Sequence, residues 1–172
     1  MLEGKLIRLR ALEPADVDKL YLWENNSDIW PVSNTNVPFS RHILEQFVLS
    51  GQDFYATRQL RLMITDIEKN CIGCLDFFEF DPKNLRAGVG ILIADESNRK
   101  KGYATEAIEL AKNYMFEQFG LVQLYCNIAA NNADSLRLFK NAGFEISGIK
   151  KKWTRSQGAW LDEYFLQVFR PN

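Results

Sequence analysis

The sequence predicts one mixed α/β domain, and three features predict it. Residues 60–65 and 71–80 are apolar runs either side of Asp66-Ile67-Glu68-Lys69-Asn70, which reads as two strands of a meander joined by a polar turn. Val89 to Ala94 is a further apolar run, rich enough in Val and Ile to suit a strand buried on both faces. Behind it, Ala104, Ala107, Ile108, Ala111, Met115 and Phe119 recur at helical spacing up to Gly120, a C-terminal glycine signal. Leu121 to Ala129 then reads as a strand that a right-handed crossover returns parallel to the earlier one.

The remaining elements follow in order. Lys5 to Arg10 alternates charged and apolar residues as a first strand, and Pro14 suits the first turn of a helix carrying Val17, Leu20 and Tyr21. Asn25 to Phe39 is polar and holds two prolines, so it reads as a loop long enough to be functional. Ser40 caps a helix over His42 to Leu49, and residues 54–80 as a whole read as β-meander. A second turn, Asp81-Pro82-Lys83-Asn84, leads into the strand at 87–94. Asn131 to Ser135 caps a short helix that stops at Gly143, and residues 144–152 and 160–169 are two closing strands joined through Ser156-Gln157-Gly158.

Composition narrows the function. With 172 residues, 47% apolar and 25% charged, the chain is an ordinary globular domain, and a net charge of −1 argues against a broad nucleic-acid surface. The N-terminus runs straight into strand pattern and no apolar run is long enough to cross a membrane, so a cytoplasmic protein with no membrane partner is expected. Cys71-Ile72-Gly73-Cys74 has C-x-x-C spacing, but it lies in a strand, and the only histidine, His42, is remote; no metal site is expected.

The chemistry concentrates at residues 99–104. Arg99-Lys100-Lys101-Gly102-Tyr103-Ala104 joins the 89–94 strand to the long helix, where free N–H groups and three cations would meet a phosphate or pyrophosphate. No G-x-x-x-x-G-K-[ST] occurs, and Gly88-Val89-Gly90 has no third glycine at the right place, so neither a P-loop nor a dinucleotide fingerprint explains it. What stands there is Arg-x-x-Gly-x-Ala, which resembles the acyl-CoA pyrophosphate loop of the GNAT N-acetyltransferases. A second segment, Asn132-Ala133-Asp134-Ser135-Leu136-Arg137-Leu138-Phe139-Lys140-Asn141-Ala142-Gly143-Phe144, resembles that family's Asn-x-x-Ser/Ala-x-x-x-Tyr-x-Lys-x-Gly-Phe. Leu9 to Glu13, Arg86-Ala87, Leu124-Tyr125 and Gly158 to Asp162 extend the similarity over nearly the whole chain. Within the family it is most like the bacterial branch of ribosomal-protein N-terminal acetyltransferases and spermidine N-acetyltransferases.

The resemblance implies one domain over residues 1–172, with a mostly antiparallel sheet, a splayed parallel central strand pair and flanking helices. It implies transfer of acetyl from acetyl-CoA to a primary amine by direct attack, without a metal. Leu92, Ile93 and Ala94 would offer backbone groups to the pantetheine arm, Arg99, Lys100, Lys101, Gly102, Tyr103 and Ala104 would hold the pyrophosphate, and Asn132 would bind the arm, cap its helix, or do both. Lys140 is expected on a solvated helix face. Relatives often associate through sheet edges and C-terminal strands, so a homo-oligomer is possible.

Two positions depart from the family pattern. Phe139 stands where a proton-donating Tyr is usual, and Gly88 where a strand glutamate sometimes occurs. Ser135 is the first substitute as acid, with Tyr125 a second; Asp76, Glu79 and Asp162 are candidate bases, the first two expected on opposite faces of their strand. The acceptor, a polyamine, another small amine or a protein N-terminus, is expected between the 25–39 loop and the C-terminal hairpin. Lys150, Lys151 and Lys152 there argue against a polycation, and Trp23, Trp30, Trp153 and Trp160 either line the site or fill the core. The competing reading is a non-catalytic acyl-CoA-binding or sensor module.

Overall fold

The computed structural model describes residues 1–33, 35–50, 53–156 and 158–171, without the side chains of Pro31 and Val32. Asn34 of the polar loop and Gln157 of the closing turn therefore lie outside the described residues. Strands β1 (Leu2–Glu3), β2 (Ile7–Ala11), β3 (Leu60–Asp66), β4 (Cys71–Asp81), β5 (Arg86–Ile93), β6 (Gln123–Ala129), β7 (Glu145–Ser156) and β8 (Ala159–Phe169) form one sheet in the order β1-β2-β3-β4-β5-β6-β8-β7. Every pairing is antiparallel except β5 with β6, the pair expected from the crossover.

Helices cover both faces. On one, α5 (Tyr103–Gln118) buries Ala107, Ile108, Ala111 and Met115 against Ile7, Leu9, Ile64, Leu75, Phe77 and Val89. The short α6 (Ala133–Asn141) joins the same core through Phe139, whose ring meets Phe144 edge-on at 5.1 Å. On the other face, α1 (Val17–Glu24) and α3 (Arg41–Leu49) bury Val17, Leu20, Leu44 and Val48 against Met63 and Cys74. The Ser40 hydroxyl caps α3 by accepting the Ile43 N–H at 3.2 Å.

Three expectations change. The 25–39 segment contains a single helical turn, α2 (Trp30–Ser33), with the Trp30 indole N–H donating to the Glu24 carbonyl at 2.8 Å. Asn25 closes this segment: its amide donates to the Tyr21 and Phe39 carbonyls and its Oδ1 accepts the Phe39 N–H at 2.8 Å. The stretch before β3 is a helical turn, α4 (Phe54–Thr57), rather than meander, because the Asp53 carboxylate caps it by accepting the N–H groups of Tyr55 and Ala56. Strand β4 is broken by a bulge between Phe78 and Asp81, where Glu79 adopts φ +50.

All three thiols are free, and burial pushes each of them up, Cys126 to about 12. Among the described residues no group of His, Cys, Asp or Glu is placed to hold a metal ion, and no helix is long and apolar enough to cross a membrane.

Two carboxylates tie chain entry to the layers. Glu106, in the first turn of α5, accepts the N–H groups of Lys5, Leu6 and Ile7 at 2.8, 2.8 and 2.9 Å. Asp16, only 3% exposed, accepts two hydrogen bonds from the Arg10 guanidinium at 2.7 Å and one from the Glu13 N–H at 2.9 Å. Burial pushes the Asp16 carboxyl up, but Arg10 and the Glu13 N–H together hold it below the ordinary carboxylate range. A depressed folded-state value contributes stability above the unfolded value of about 3.9, and that stability is lost as pH falls through the lowered value. Asp16→Asn should therefore cost about 3 kcal/mol at pH 7. In urea melts the gap between wild type and variant should narrow as pH falls below the ordinary carboxylate range and through the lowered Asp16 value; a gap independent of pH would contradict the assigned ion pair.

Candidate active site

Strands β5 and β6 pair only over Arg86↔Gln123, Ala87↔Leu124 and Gly88↔Tyr125. Beyond these positions they part, although β5 continues to Ile93 and β6 to Ala129. Each loses its neighbour on that side, so the backbone along the split has donors and acceptors with no strand to satisfy them.

The register decides which β5 groups face the split. The Ala94 N–H donates to the Ile72 carbonyl at 3.0 Å, and the Leu92 carbonyl lies against Gly73, so both residues turn backbone groups toward β4. Alternation then directs Val89, Ile91 and Ile93 toward the split. Of the three residues expected to serve a pantetheine arm, Ile93 turns its backbone groups to the split, while Leu92 and the Ala94 N–H are engaged with β4. Val89 and Ile91 face the split as well and were not among those expected, because the direction of strand hydrogen bonds depends on a partner that is remote in sequence.

The basic turn lies where expected. Arg99 ends a helical turn over Glu96–Asn98, about half exposed, with loose contacts of 3.5 Å to the Ile93 carbonyl and Glu96. Lys100 at φ +60 and Gly102 at φ +85 bend the backbone twice into the left-handed region, and Gly102 becomes the N-cap of α5 without any side-chain cap. The first helical hydrogen bond is from the Glu106 N–H to the Gly102 carbonyl at 3.0 Å, so the N–H groups of Tyr103, Ala104 and Thr105 have no helical acceptor. Exposed Lys101 stands over the Tyr103 ring at 6.0 Å. Free N–H donors, the helix dipole and three cations converge here.

At the far side of the split, Asn132 caps α6 by accepting the Ser135 N–H at 3.1 Å. Ser135 is half-buried and its hydroxyl makes no hydrogen bond among the described residues. Lys140 is exposed, as expected. Phe139 is 3% exposed and part of the core on the α5 face.

The opposite face of the split has a different character. Because of the β4 bulge, Phe77 and Phe80 both enter the core beneath α5, where each packs on Phe54. Glu79 consequently turns to the same face as Asp76, which corrects the expectation that the two point apart. It accepts a hydrogen bond from the phenol of Tyr125, the last β6 residue paired with β5. Burial, then the hydrogen bond to Glu79 and its charge, push the Tyr125 phenol well above its ordinary value, so it remains protonated. Phe78 lies beside this pair, 6.1 Å from the Tyr125 ring, and covers Gly88: a Cβ there would stand 2.2 Å from the Phe78 ring. A glutamate at position 88 has no room, and the carboxylate near the split comes from β4 instead.

Glu79 and Tyr125 line a cavity of about 630 Å³ together with Thr57, Arg58, Asp81, Arg86, Asn127 and Lys150. The other candidate bases are engaged elsewhere. Asp76 receives Arg61 at 2.6 and 3.0 Å, and Arg61 also reaches Glu24 of α1 at 2.6 Å. Asp162 accepts from Lys151 at 2.7 Å and from the Lys152 N–H at 2.9 Å, the Lys151 bond first among the causes that hold its carboxyl low. Trp153 and Trp160 are 61% and 60% exposed on the hairpin, so they neither fill the core nor line this cavity. The sequence signal that exposes the Glu79–Tyr125 pair is Phe77-Phe78-Glu79-Phe80, which breaks the two-residue alternation of a strand.

The chain as a whole is similar to known proteins. The chain is 30% identical to an uncharacterised N-acetyltransferase, YnaD, of Bacillus subtilis, over 95% of this chain and 94% of that one. It is 28% identical to the spermidine N(1)-acetyltransferase of Vibrio cholerae, covering 83% and 80%. The crystal structure of Vibrio cholerae spermidine N-acetyltransferase in complex with CoA and spermine superposes with a TM-score of 0.86 over 96% of both chains at 23% identity, which shows the shared fold. The acetyltransferase (GNAT) domain family matches residues 7–145, most of the chain, which therefore belongs to the GNAT family as an acetyl-CoA-dependent N-acetyltransferase.

Proposed function

We propose that the two faces of the β5/β6 split divide the reaction, acetyl-CoA entering from the side of α5 and α6 and a primary amine from the 630 Å³ cavity. The observation that carries this reading is the split itself, with an anion-binding helix start at one end and a carboxylate held by a protonated phenol at the other. Backbone groups of Val89, Ile91 and Ile93 would pair with the pantetheine amides. Residues 99–104 would hold the pyrophosphate, and Asn132 would remain a cap that also borders the arm.

Glu79 would take a proton from the arriving ammonium, directly or through water, so that the neutral amine attacks the thioester carbonyl. Tyr125, remaining protonated, would fix the Glu79 carboxylate at the edge of the split. Strand N–H groups at the split would stabilise charge on the carbonyl oxygen as the C–N bond forms and the C–S bond breaks. The nitrogen sheds a second proton as the amide forms, and the departing thiolate gains one; the Ser135 hydroxyl, unengaged at the start of α6, is the candidate relay between them, and a thiolate near pKa ~8.5 also leaves without much help. Phe139 is then a core residue, and its lack of a proton does not argue for a non-catalytic sensor. The spermidine acetyltransferases among the relatives make polyamines the reference acceptors.

Glu79→Gln should lower kcat about 100-fold with little change in acetyl-CoA affinity, and Tyr125→Phe should lower it about tenfold. Thiol release measured with acetyl-CoA near saturation checks both, and undiminished turnover in Glu79→Gln would remove it as the base. Gly102→Val forces a β-branched side chain into φ +85 and should raise the acetyl-CoA Kd about tenfold, read by calorimetry. An unchanged Kd would move the pyrophosphate away from this turn.

A further inference from the structure

The acceptor can be narrowed if the transfer reading above holds, because the charges of the cavity are unevenly matched. Its lining has two carboxylates, Glu79 and Asp81, against three cations, Arg58, Arg86 and Lys150. Asp81 is already committed: it accepts from Asn84 Nδ2 at 2.7 Å, from Arg86 at 3.2 Å, and from the N–H groups of Lys83 and Asn84. Lys150 donates to Glu163 at 2.9 Å and to Asn127 at 2.7 Å. Among the described residues, Glu79 is left with only the neutral phenol of Tyr125 for a partner. Arg58, held at the C-cap of α4 with φ +56, makes no side-chain hydrogen bond or ion pair among the described residues.

The cavity therefore offers one carboxylate without a cation and one guanidinium without an anion. A polyamine would place several positive charges among Arg58, Arg86 and Lys150, with only Glu79 to receive them. We propose that the acceptor carries a single amine and an anionic group, a carboxylate or a phosphate, with Glu79 receiving the amine beside the split and Arg58 receiving the anion. Arg86, bound to Asp81 through one nitrogen only, supplies a second donor for the same anion. The neutral amides that line the remaining wall, Gln59, Gln123 and Gln167, add no negative charge that would favour a polycation.

Matched amines test this. Acetyl-CoA binding is first established by calorimetry, and thiol release is then measured with O-phosphoethanolamine against ethanolamine, β-alanine against propylamine, spermidine, and N-terminal peptides. The anionic member of each pair should show at least about tenfold higher kcat/KM than its neutral partner, with spermidine below both anionic amines. Arg58→Glu should bring the ratio within each pair close to one. Turnover of spermidine at or above that of the anionic amines, or a wild-type ratio near one, overturns this inference and leaves the transfer reading standing. A ratio unchanged in Arg58→Glu removes Arg58 from the anion site. Thiol release with none of the amines overturns the transfer reading and this inference with it.

Discussion

The arrangement of this protein follows from three backbone pairings and their end. Strands β5 and β6 are parallel and bonded only as far as Gly88 and Tyr125, and the proposed site lies along or beside the gap that opens after them. A gap in the middle of a sheet is costly, since buried backbone groups need partners. It persists because the flanking structure holds each strand independently. β5 is bonded along its length to β4, and β6 along its length to β8, so each strand is fixed from the side away from the gap. Helix α5 packs on β2 and β5, and Glu106 at its start grips three successive N–H groups of the chain entering β2. The end of the helix that presents free N–H groups is therefore itself anchored.

The same gap separates two chemical environments. Toward α5 and α6 the surface is cationic at one end and apolar beneath, suited to a long acyl carrier with a charged tail. Toward α1 and α3 it holds carboxylates, amides and guanidinium groups. The bulge in β4 produces this difference with one residue: by inserting Glu79 at φ +50, it lets Phe77 and Phe80 share the aromatic core while the carboxylate turns to the opposite face. Arg61 works alongside it, joining Asp76 of β4 to Glu24 of α1 with its own side chain largely buried, so the segment that follows α1 is tied to the strand carrying Glu79.

Much of the fold was legible in the sequence because local signals and burial agreed. The apolar spacing of α5, the Ser40 and Asn132 caps and the glycine stops at 120 and 143 all stand where the pattern placed them. The turn at 99–104 was legible for the same reason: its charge, its glycine and its place between strand and helix are local properties. The misreadings have a common cause. Whether Leu92 or Ile93 faces the gap depends on the partner strand, and the side on which Glu79 emerges depends on a bulge set by packing between Phe54, Phe77 and Phe80. Helix α4 was hidden because its cap, Asp53, precedes only four helical residues, too few for periodicity to register.

Phe139 shows how a missing proton donor can be read in two ways until the packing is known. In isolation, a phenyl ring at that position removes an acid from the expected mechanism. In the structure the ring is 3% exposed and meets Phe144 edge-on, so its environment is the same core that α5 fills, and a hydroxyl there would need a partner that the surrounding apolar residues do not supply. In the proposed reaction the polar duties lie elsewhere, with Ser135 one turn earlier on α6 and Tyr125 across the sheet. Tyr125 donates a hydrogen bond to Glu79 and stays protonated, which suits holding a carboxylate in place rather than releasing a proton to a thiolate. In the proposed reaction, proton acceptance and proton donation thus fall on opposite sides of the split, as direct transfer requires when the amine arrives from one face and the thiolate departs toward the other.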